Sequence, residues 1–379
     1  MVEWKKLGEV GKRNKGISIT AGRMSELASP DGNVRVFAAG NTIADIKDSD
    51  LPKNCVNTLP SIIVKSRGYI DFVFYEKPFT HKNEMWSYSF GDRTISKFLF
   101  YYLTTKTELF RRKAKANSVK LPQLCVADTD ECLIPIPSLS EQNRIVGILD
   151  TFTASIDNLK EQIAQRRKQY EHYRDQLLDL EGKPGVEMKT LGEICDIKGR
   201  IGFRGYTRQD QVAKGEGALT LTATNIVNQR IDYTNNTYIS WNKYYESPEI
   251  MVKNGDIIVC QRGSIGKIAI IENLVEPATI NPQLLLLKNI KLNSRFLIHY
   301  LISRRFQDSL SKIIGYGTIQ MIAQKDLKDL PIPILVDVEQ QRIVSILDTF
   351  EASIQNLEAQ LEQRQKQYEY YRNKLLTFE

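Results

Sequence analysis

The chain has 379 residues, 42% of them hydrophobic and 26% charged, so it is long enough to bury two substantial cores. Its formal charge of +7 is compatible with a polyanionic partner but does not require one. No apolar run is long enough to cross a bilayer, the first ten residues lack the apolar core of a signal peptide, and the five cysteines form no C-x-x-C pair. These features argue against a membrane-spanning protein or a disulfide scaffold and favour a cytoplasmic protein with reduced thiols.

In chain order, the first half of the sequence predicts a mixed α/β domain. Strand-like apolar runs occupy residues 34–40, 61–68 and 69–75, and SKFLFYYL (96–103) predicts a helix. The apolar LIPIP (133–137) then precedes a long stretch with helical spacing.

The second half predicts the same succession. Strand-like runs occupy residues 218–226, 256–263 and 267–272, SRFLIHYL (294–301) predicts a helix, and PIPIL (331–335) precedes a second long helical stretch. The predicted fold class is therefore α/β (α+β), with two globular domains that are each followed by a long helix.

The two halves form an internal repeat. EQNRIVGILDTF (141–152) returns as EQQRIVSILDTF (339–350) at an offset of 339 − 141 = 198, and LGEV (7–10) returns as LGEI (191–194) at an offset of 191 − 7 = 184. The second copy is longer by 198 − 184 = 14 residues, and the increase lies before SRFLIHYL. A constant frame around divergent segments is typical of a scaffold that carries two different recognition domains, and plain duplication followed by drift is the alternative.

The repeated segments have apolar residues at alternating spacings of four and three, which predicts a coiled-coil seam between two helices of about 40 residues, each roughly 60 Å long. Arg166 and Arg364 interrupt the seam at equivalent positions and either fix the register or extend to the edge of the seam. A two-fold relation between the halves favours an antiparallel, pseudo-symmetric pair. The predicted seam residues are Ile145, Leu149, Phe152, Ile156, Leu159, Ile163, Tyr170, Tyr173, Leu177, Ile343, Leu347, Phe350, Ile354, Leu357, Leu361, Tyr368, Tyr371 and Leu375.

The corresponding division of the chain has four parts. Residues 1–138 form the first recognition domain, 139–182 the first helix, 183–335 the second recognition domain and 336–379 the second helix.

Polar loops rich in Gly, Arg, Lys, Asn and Tyr separate the predicted strands, as in VKSRGY (64–69), KGRIGFRGY (198–206), QRGSIGK (261–267) and IGYGTIQ (314–320). Such residues suit DNA, because Arg and Lys contact phosphates and guanine, Asn and Gln pair with adenine, and Gly lets the backbone approach closely. One such loop is weak evidence, since a basic glycine loop is more often a solvated turn.

Signals for catalysis are weak. QRGSIGK has Gln261 where a phosphate-binding loop requires its first glycine, NPQ (281–283) lacks the second proline and the aromatic residue of an amino-methyltransferase motif, and the three histidines suggest no metal cluster. The nuclease-like E-x-K at 181–183 is better explained as a linker after a helix. We therefore predict no catalytic residue, no metal site and no cofactor bound by this chain.

The order of LGEV, LIPIP and EQNRIVGILD, with their second copies, resembles the specificity subunits of type I restriction-modification systems over the whole chain. The resemblance implies a non-catalytic subunit in which each recognition domain reads one half of a bipartite site in double-stranded DNA. It also implies that the helix pair sets the gap and docks two methyltransferase subunits, which restriction subunits join, and that S-adenosylmethionine and ATP act in those partners. The alternatives are a self-contained methyltransferase or nuclease, and a structural tether with two protein-binding ends.

QRGSIGK and GYGTIQ are placed like the reading loops of that family. The residues predicted to contact DNA are Lys65, Arg67, Tyr69, Lys115, Asn117 and Ser118 in the first domain, and Arg204, Tyr206, Asn225, Gln261, Arg262, Ser264, Lys267, Tyr316 and Thr318 in the second.

Overall fold

The computed structural model describes residues 2–118, 120–202, 205–314 and 320–378. Two units follow from the contacts: the first contains Met1–Lys160 and Ala359–Glu379, and the second contains Glu161–Glu358. Each unit therefore includes a globular part, a segment of the first long helix (Leu139–Leu177) and a segment of the second long helix (Asp337–Leu375).

The globular part of the first unit is built on a four-stranded antiparallel sheet. Its strands lie in the order Lys12–Lys15, Trp86–Ser89, Ser61–Lys65 and Asp71–Tyr75. The smaller sheets comprise a three-stranded sheet of Ile43–Ile46, Val34–Phe37 and Phe79–His81, and a ribbon that pairs Glu3–Lys6 with Leu133–Ile136. The α-helices are Leu7–Val10, Ala21–Leu27, Arg93–Thr105, Thr107–Asn117 and Val126–Asp130.

The second unit repeats this plan with a larger second sheet. Its four-stranded antiparallel sheet has the order Asp196–Gly199, Leu284–Lys288, Ile257–Cys260 and Ile268–Ile270, and Glu187–Thr190 pairs with Pro331–Ile334. The second sheet has five strands, in the order Gln211–Val212, Thr237–Ser240, Gly217–Leu221, Ala278–Ile280 and Met251–Val252, and a hairpin joins Ile226–Val227 to Arg230–Ile231. The α-helices are Leu191–Ile194, Trp241–Tyr245, Ser294–Leu301, Arg304–Lys312 and Gln324–Lys328. The mixed α/β fold class is as predicted.

The first long helix ends at Leu177, whereas the sequence predicted that it would end at residue 182. The chain leaves the helix there because Leu178 and Leu180 turn into the core of the second unit, where they are 1% and 6% exposed. The second long helix begins at Asp337, one residue after its predicted start at residue 336.

In the first unit, the beginning of the first long helix packs against the end of the second. Leu149 is fully buried in the same apolar cluster as Leu376. The Phe152 ring stacks on Tyr371 with centroids 5.3 Å apart, and the Arg364 guanidinium lies 5.7 Å from the Phe152 ring centre. Opposite ends of the two helices are therefore partners, as in an antiparallel pair.

The second unit contains the equivalent contacts, with the roles of the two helices exchanged. The Phe350 ring stacks on Tyr173 with centroids 5.3 Å apart, and the Arg166 guanidinium lies 5.8 Å from the Phe350 ring centre. Arg166 and Arg364 thus lie over aromatic rings of the opposite helix, an arrangement that fixes register through cation–π contacts. The sequence prediction placed Tyr173 and Tyr371 inside the seam, but they are 45% and 41% exposed because each ring covers a phenylalanine from outside.

Polar contacts fix each globular part on its helix segments at equivalent positions. In the first unit, the Lys97 ammonium lies 2.7 Å from Asp150, whose other oxygen accepts a hydrogen bond of 2.6 Å from the Tyr101 hydroxyl. In the second unit, Asp348 takes the place of Asp150 and contacts the Arg295 guanidinium at 2.6 Å and the His299 ring at 2.9 Å.

Candidate nucleic-acid interface

In the first unit, the turn after the central strand Ser61–Lys65 carries Arg67 and Tyr69. Gly68 occupies the left-handed region with φ +76°, a conformation that favours glycine. The Gly68 amide donates to the Pro122 carbonyl at 2.8 Å, and the Leu124 amide donates to the Ser66 carbonyl at 2.8 Å. The turn is therefore held by the segment that precedes the short helix Val126–Asp130.

The side chains of this turn are directed to solvent. Arg67 is exposed and Tyr69 is 55% exposed. The Arg111 guanidinium lies 4.9 Å from the Tyr69 ring centre, and its Nε donates to the Ile70 carbonyl at 3.2 Å. A stacked tyrosine and arginine beside an exposed arginine form a cationic, aromatic surface of the kind that binds nucleic acid.

The predicted residues at the end of helix Thr107–Asn117 connect to the same turn. Gln123 forms a backbone bridge with Arg67, and its amide donates to the Ala114 carbonyl at 3.1 Å, next to Lys115. Lys115 is exposed, whereas the Asn117 amide donates to Asp128 at 2.8 Å.

The remaining predicted residues of this unit already have local contacts. Ser118 Oγ lies 3.5 Å from the Leu121 amide as its hydrogen-bond acceptor, and Lys65 Nζ donates to Asn41 Oδ1 at 2.8 Å. Among the residues predicted to contact DNA in this unit, the exposed cations are thus Arg67 and Lys115, and Arg111 of the helix contacts the turn.

The second unit places an Arg-Gly pair at the same topological position. Arg262 follows the central strand Ile257–Cys260, and Gly263 also has φ +76°. The Ile322 amide donates to the Gln261 carbonyl at 3.0 Å, and Arg262 forms a backbone bridge with Met321. The partners in the two units correspond at the repeat offset, because 322 − 124 = 198 and 321 − 123 = 198.

The QRGSIGK turn differs from its counterpart in what it presents. Arg262, Ser264 and Lys267 are exposed, and the Arg262 Nε lies 3.0 Å from the Met321 sulfur. The Gln261 side chain is half-buried and donates to the Pro282 carbonyl at 3.0 Å, so it stabilises the turn and is not directed to solvent. Equivalent turns with different exposed side chains can recognise different base sequences.

Asn225 does not belong to this surface. Its side chain is 2% exposed, donates to the Asp232 carbonyl at 3.0 Å, and accepts from the Thr222 amide at 2.9 Å. The amide that we expected to pair with adenine is thus used within a turn, and we remove Asn225 from the DNA-contact set.

Tyr206 is half-buried, with the Arg200 guanidinium 5.3 Å from its ring centre, and burial raises the pKa of its hydroxyl. Arg204, Tyr316 and Thr318 lie outside the described residues.

The sequence prediction missed three residues that shape these surfaces: Arg111, Gln123 and Met321. Arg111 begins the basic run RRKAK in helix Thr107–Asn117, and that run is the signal that could have identified it. Gln123 and Met321 had no signal of their own, since their role comes from strand-like pairing between distant segments.

The described part of the chain contains no cluster of His, Cys, Asp and Glu that could hold a metal ion. Among the described residues, no helix has the length and apolarity required to span a membrane.

A protein-family model that matches both halves shows which family this chain belongs to. The model of the type I restriction modification DNA specificity domain matches residues 1–166 and 184–364, which together make up most of the chain and one match per half. The chain belongs to the type I restriction-modification specificity family. Subunits of this family are non-catalytic and leave catalysis to partner subunits, so the resemblance found in the sequence and the expectation of a DNA-recognition subunit are confirmed.

Individual relatives agree with this assignment. The chain is 31% identical over 329 residues to the type I restriction enzyme EcoR124I/EcoR124II specificity subunit of Escherichia coli, covering 82% of this chain and 77% of that protein. It is 30% identical over 312 residues to a putative type I restriction enzyme specificity subunit of Haemophilus influenzae, covering 76% and 73%.

Solved structures support the fold of this specificity subunit. The S subunit of a type I restriction-modification system from M. genitalium has a TM-score of 0.63 at 18% identity, covering 100% of this chain and 97% of that one. A chain from a study of complex assembly and conformational transition of the type I R-M system has a TM-score of 0.55 at 18% identity, covering 99% and 97%.

Proposed function

We propose that this specificity subunit selects a bipartite site in double-stranded DNA, with one half-site read by each globular part. The observation that carries the proposal is the exposed Arg-Gly turn, which recurs at the same position of the sheet in both units within different surroundings. One arginine on each turn can donate two hydrogen bonds to a guanine, and the neighbouring side chains supply the rest of the sequence preference.

The proposed DNA contacts are of two kinds, to base edges and to phosphates. Arg67 and Arg262 are assigned to base edges, because each is exposed and directly precedes a glycine with φ +76° in the segment after a central strand. The exposed lysines Lys115 and Lys267 suit phosphates, which position the protein on the duplex without carrying sequence information. The exposed Tyr69 ring, backed by Arg111, adds an apolar surface in the first unit.

The two long helices set the unread gap between the half-sites. Each has 39 residues, and the antiparallel packing within each unit gives the pair one defined register. A helix of that length extends about 60 Å, which is many times the rise of about 3.4 Å per base pair.

Two methyltransferase subunits dock on the repeated helix segments, and restriction subunits join them. The surface at the start of each long helix is repeated in detail: Arg144 pairs with Glu141 at 2.6 Å and Arg342 pairs with Glu339 at 2.8 Å, all on the exposed side. Two identical partners require two equivalent surfaces, which explains why this segment diverged least. S-adenosylmethionine and ATP are bound by those partner subunits.

The test is single-molecule methylation sequencing of DNA from cells that express this chain with its neighbouring methyltransferase subunit. The proposal predicts a split motif, two short specific blocks around a fixed number of unspecified base pairs, and cells with the methyltransferase alone are the control. Methylation that does not depend on this chain would contradict the proposal and favour the structural tether, whose purified form would show no salt-dependent affinity for DNA.

A further inference from the structure

The second unit contains a small hairpin that contacts the long helices. It joins Ile226–Val227 to Arg230–Ile231 through a two-residue turn in which Asn228 and Gln229 have φ +49° and +67°. Two consecutive positive φ values match the turn type that closes the tightest hairpins. The hairpin lies in the part of the second half that is longer than the first.

Between the hairpin and the helix segments of this unit lies a cleft of about 360 Å³. Residues 227–230 line one side, and both long helices line the other, with Tyr170 and Glu351 among them. The cleft is bridged by an ion pair, in which Arg230 Nη2 lies 3.1 Å from Glu351 Oε2.

Glu351 is the centre of a buried polar network. Its side chain is 15% exposed and also accepts from the Arg295 guanidinium at 2.8 Å and from the Tyr170 hydroxyl at 3.2 Å. The hairpin, the helix that carries Arg295 and both long helices are thus tied to one carboxylate.

The described residues of the first unit contain no such arrangement. The residue equivalent to Glu351 is Thr153, since 351 − 198 = 153; its hydroxyl donates to the Asp150 carbonyl within its own helix and lies 3.4 Å from the Tyr101 hydroxyl, but it forms no ion pair. In the first unit, the contacts of Asp150 with Lys97 and Tyr101 hold the globular part on the first long helix. The two recognition domains are therefore fixed unequally on the long helices.

We propose that Arg230 and Glu351 are positioning residues that clamp the second recognition domain on the long helices and so restrict the gap length at which its half-site is accepted. This inference rests on the proposed function. Successive base pairs are about 3.4 Å apart along the duplex, so a shift of a few ångströms in the reader is enough to accept a gap of one base pair more or less. Neither residue needs to touch DNA for this effect.

The test measures methylation rates by the reconstituted complex on duplexes with the preferred gap and with one base pair more or fewer. Arg230→Ala leaves the half-exposed hairpin without its ion pair, and Glu351→Thr installs the residue that the first unit uses. We expect each variant to reduce the discrimination against the altered gaps by about fivefold, the net effect of losing one typical hydrogen bond. Arg230→Lys retains the charge and should restore most of the discrimination.

The control is Thr153→Ala at the equivalent position of the first unit, which removes no ion pair and keeps the contacts of Asp150 with Lys97 and Tyr101, and which should leave gap discrimination as in the wild type. Hydrogen exchange of residues 226–231 provides a second measurement, and both clamp variants should exchange faster there while the central strand Ile257–Cys260 stays protected. Unchanged gap discrimination in Arg230→Ala, with the hairpin released, would overturn the clamp and leave the proposed function intact. A wild-type chain that confers no split motif would overturn both.

Discussion

Leu149 and Leu347 give the most direct test of how the long helices take part in the two cores. They are equivalent by the repeat, since 347 − 149 = 198, and both are 0% exposed. Leu347 lies in an apolar cluster with Phe296 of the second unit, whereas Leu149 lies in a cluster with Phe98 of the first. Each leucine therefore stabilises its own unit.

Replacing a fully buried leucine with alanine loses the transfer free energy of the side chain and leaves a cavity. Such changes cost about 2–5 kcal/mol, and complete burial at both positions leads us to expect about 3 kcal/mol for each. That cost corresponds to a roughly 150-fold increase in the equilibrium population of the opened unit. Leu139→Ala is the matched control, because the same change at 53% exposure should cost less than about 0.5 kcal/mol.

Hydrogen exchange followed by mass spectrometry resolves the two units. In Leu347→Ala, exchange should accelerate in the central strand Ile257–Cys260 of the second unit and remain slow in Ser61–Lys65 of the first. Leu149→Ala should give the opposite pattern. Equal acceleration in both strands from either single change would show that the two cores do not open separately, and acceleration in neither would show that these helix positions do not stabilise the cores.

Three further predictions concern recognition and stability. Arg262→Ala should reduce the discrimination against mismatched bases in one half-site by roughly 5- to 150-fold in a methylation assay, because a bidentate base contact contributes about 1–3 kcal/mol, and capture of the methyltransferase subunit should be retained. Arg67→Ala should act in the same way on the other half-site, and equal damage to both half-sites by one variant would contradict the division. Asn225→Ala should reduce the free energy of unfolding by about 1–3 kcal/mol in a denaturant titration, because buried backbone groups lose their partners, and a changed motif without lost stability would instead indicate DNA contact. Burial opposes ionisation of Glu351, but His299 and two arginines outweigh burial and lower the pKa of this carboxyl. The stability that ionised Glu351 contributes is therefore present above its ordinary pKa of 4.5 and is lost as the pH falls below that value. Between about pH 6 and about pH 3, the free energy of unfolding should decrease less in Glu351→Gln than in the wild type.

Much of the fold could be predicted from the sequence because its signals are long or repeated. The alternating spacing of four and three persists through residues 145–177 and 343–375, and a pattern of that length leaves little choice other than a helix. The apolar runs at Ser61–Lys65 and Ile257–Cys260 are central strands, where burial on both faces requires continuous hydrophobicity.

The parts that could not be predicted depend on short elements and distant partners. The run at 218–226 predicted the middle strand Gly217–Leu221 of the five-stranded sheet. The edge strands Gln211–Val212 and Met251–Val252 have two residues each, too few for any periodicity, so they gave no signal. Asn225 has a side chain suited to adenine, and only the structure shows that a turn already uses it. Gln123 and Met321 hold the reading turns through backbone pairing, which is insensitive to side-chain type.

The proposed function requires that two equivalent frames in this chain carry interchangeable DNA readers. The frame markers in both halves are the short helix before the reader, Leu7–Val10 or Leu191–Ile194, and the strand after it, Leu133–Ile136 or Pro331–Ile334. Replacing residues 11–132 with a copy of residues 195–330 therefore places the second reader in both frames.

The most direct measurement is the methylated motif of cells that express this chimaera with the methyltransferase subunit, determined by single-molecule sequencing. The two-fold relation that the internal repeat favours predicts an inverted repeat of the second half-site around a fixed gap. A motif that still contains the first half-site, or the absence of any split motif although the chimaera captures the methyltransferase subunit, would contradict the account.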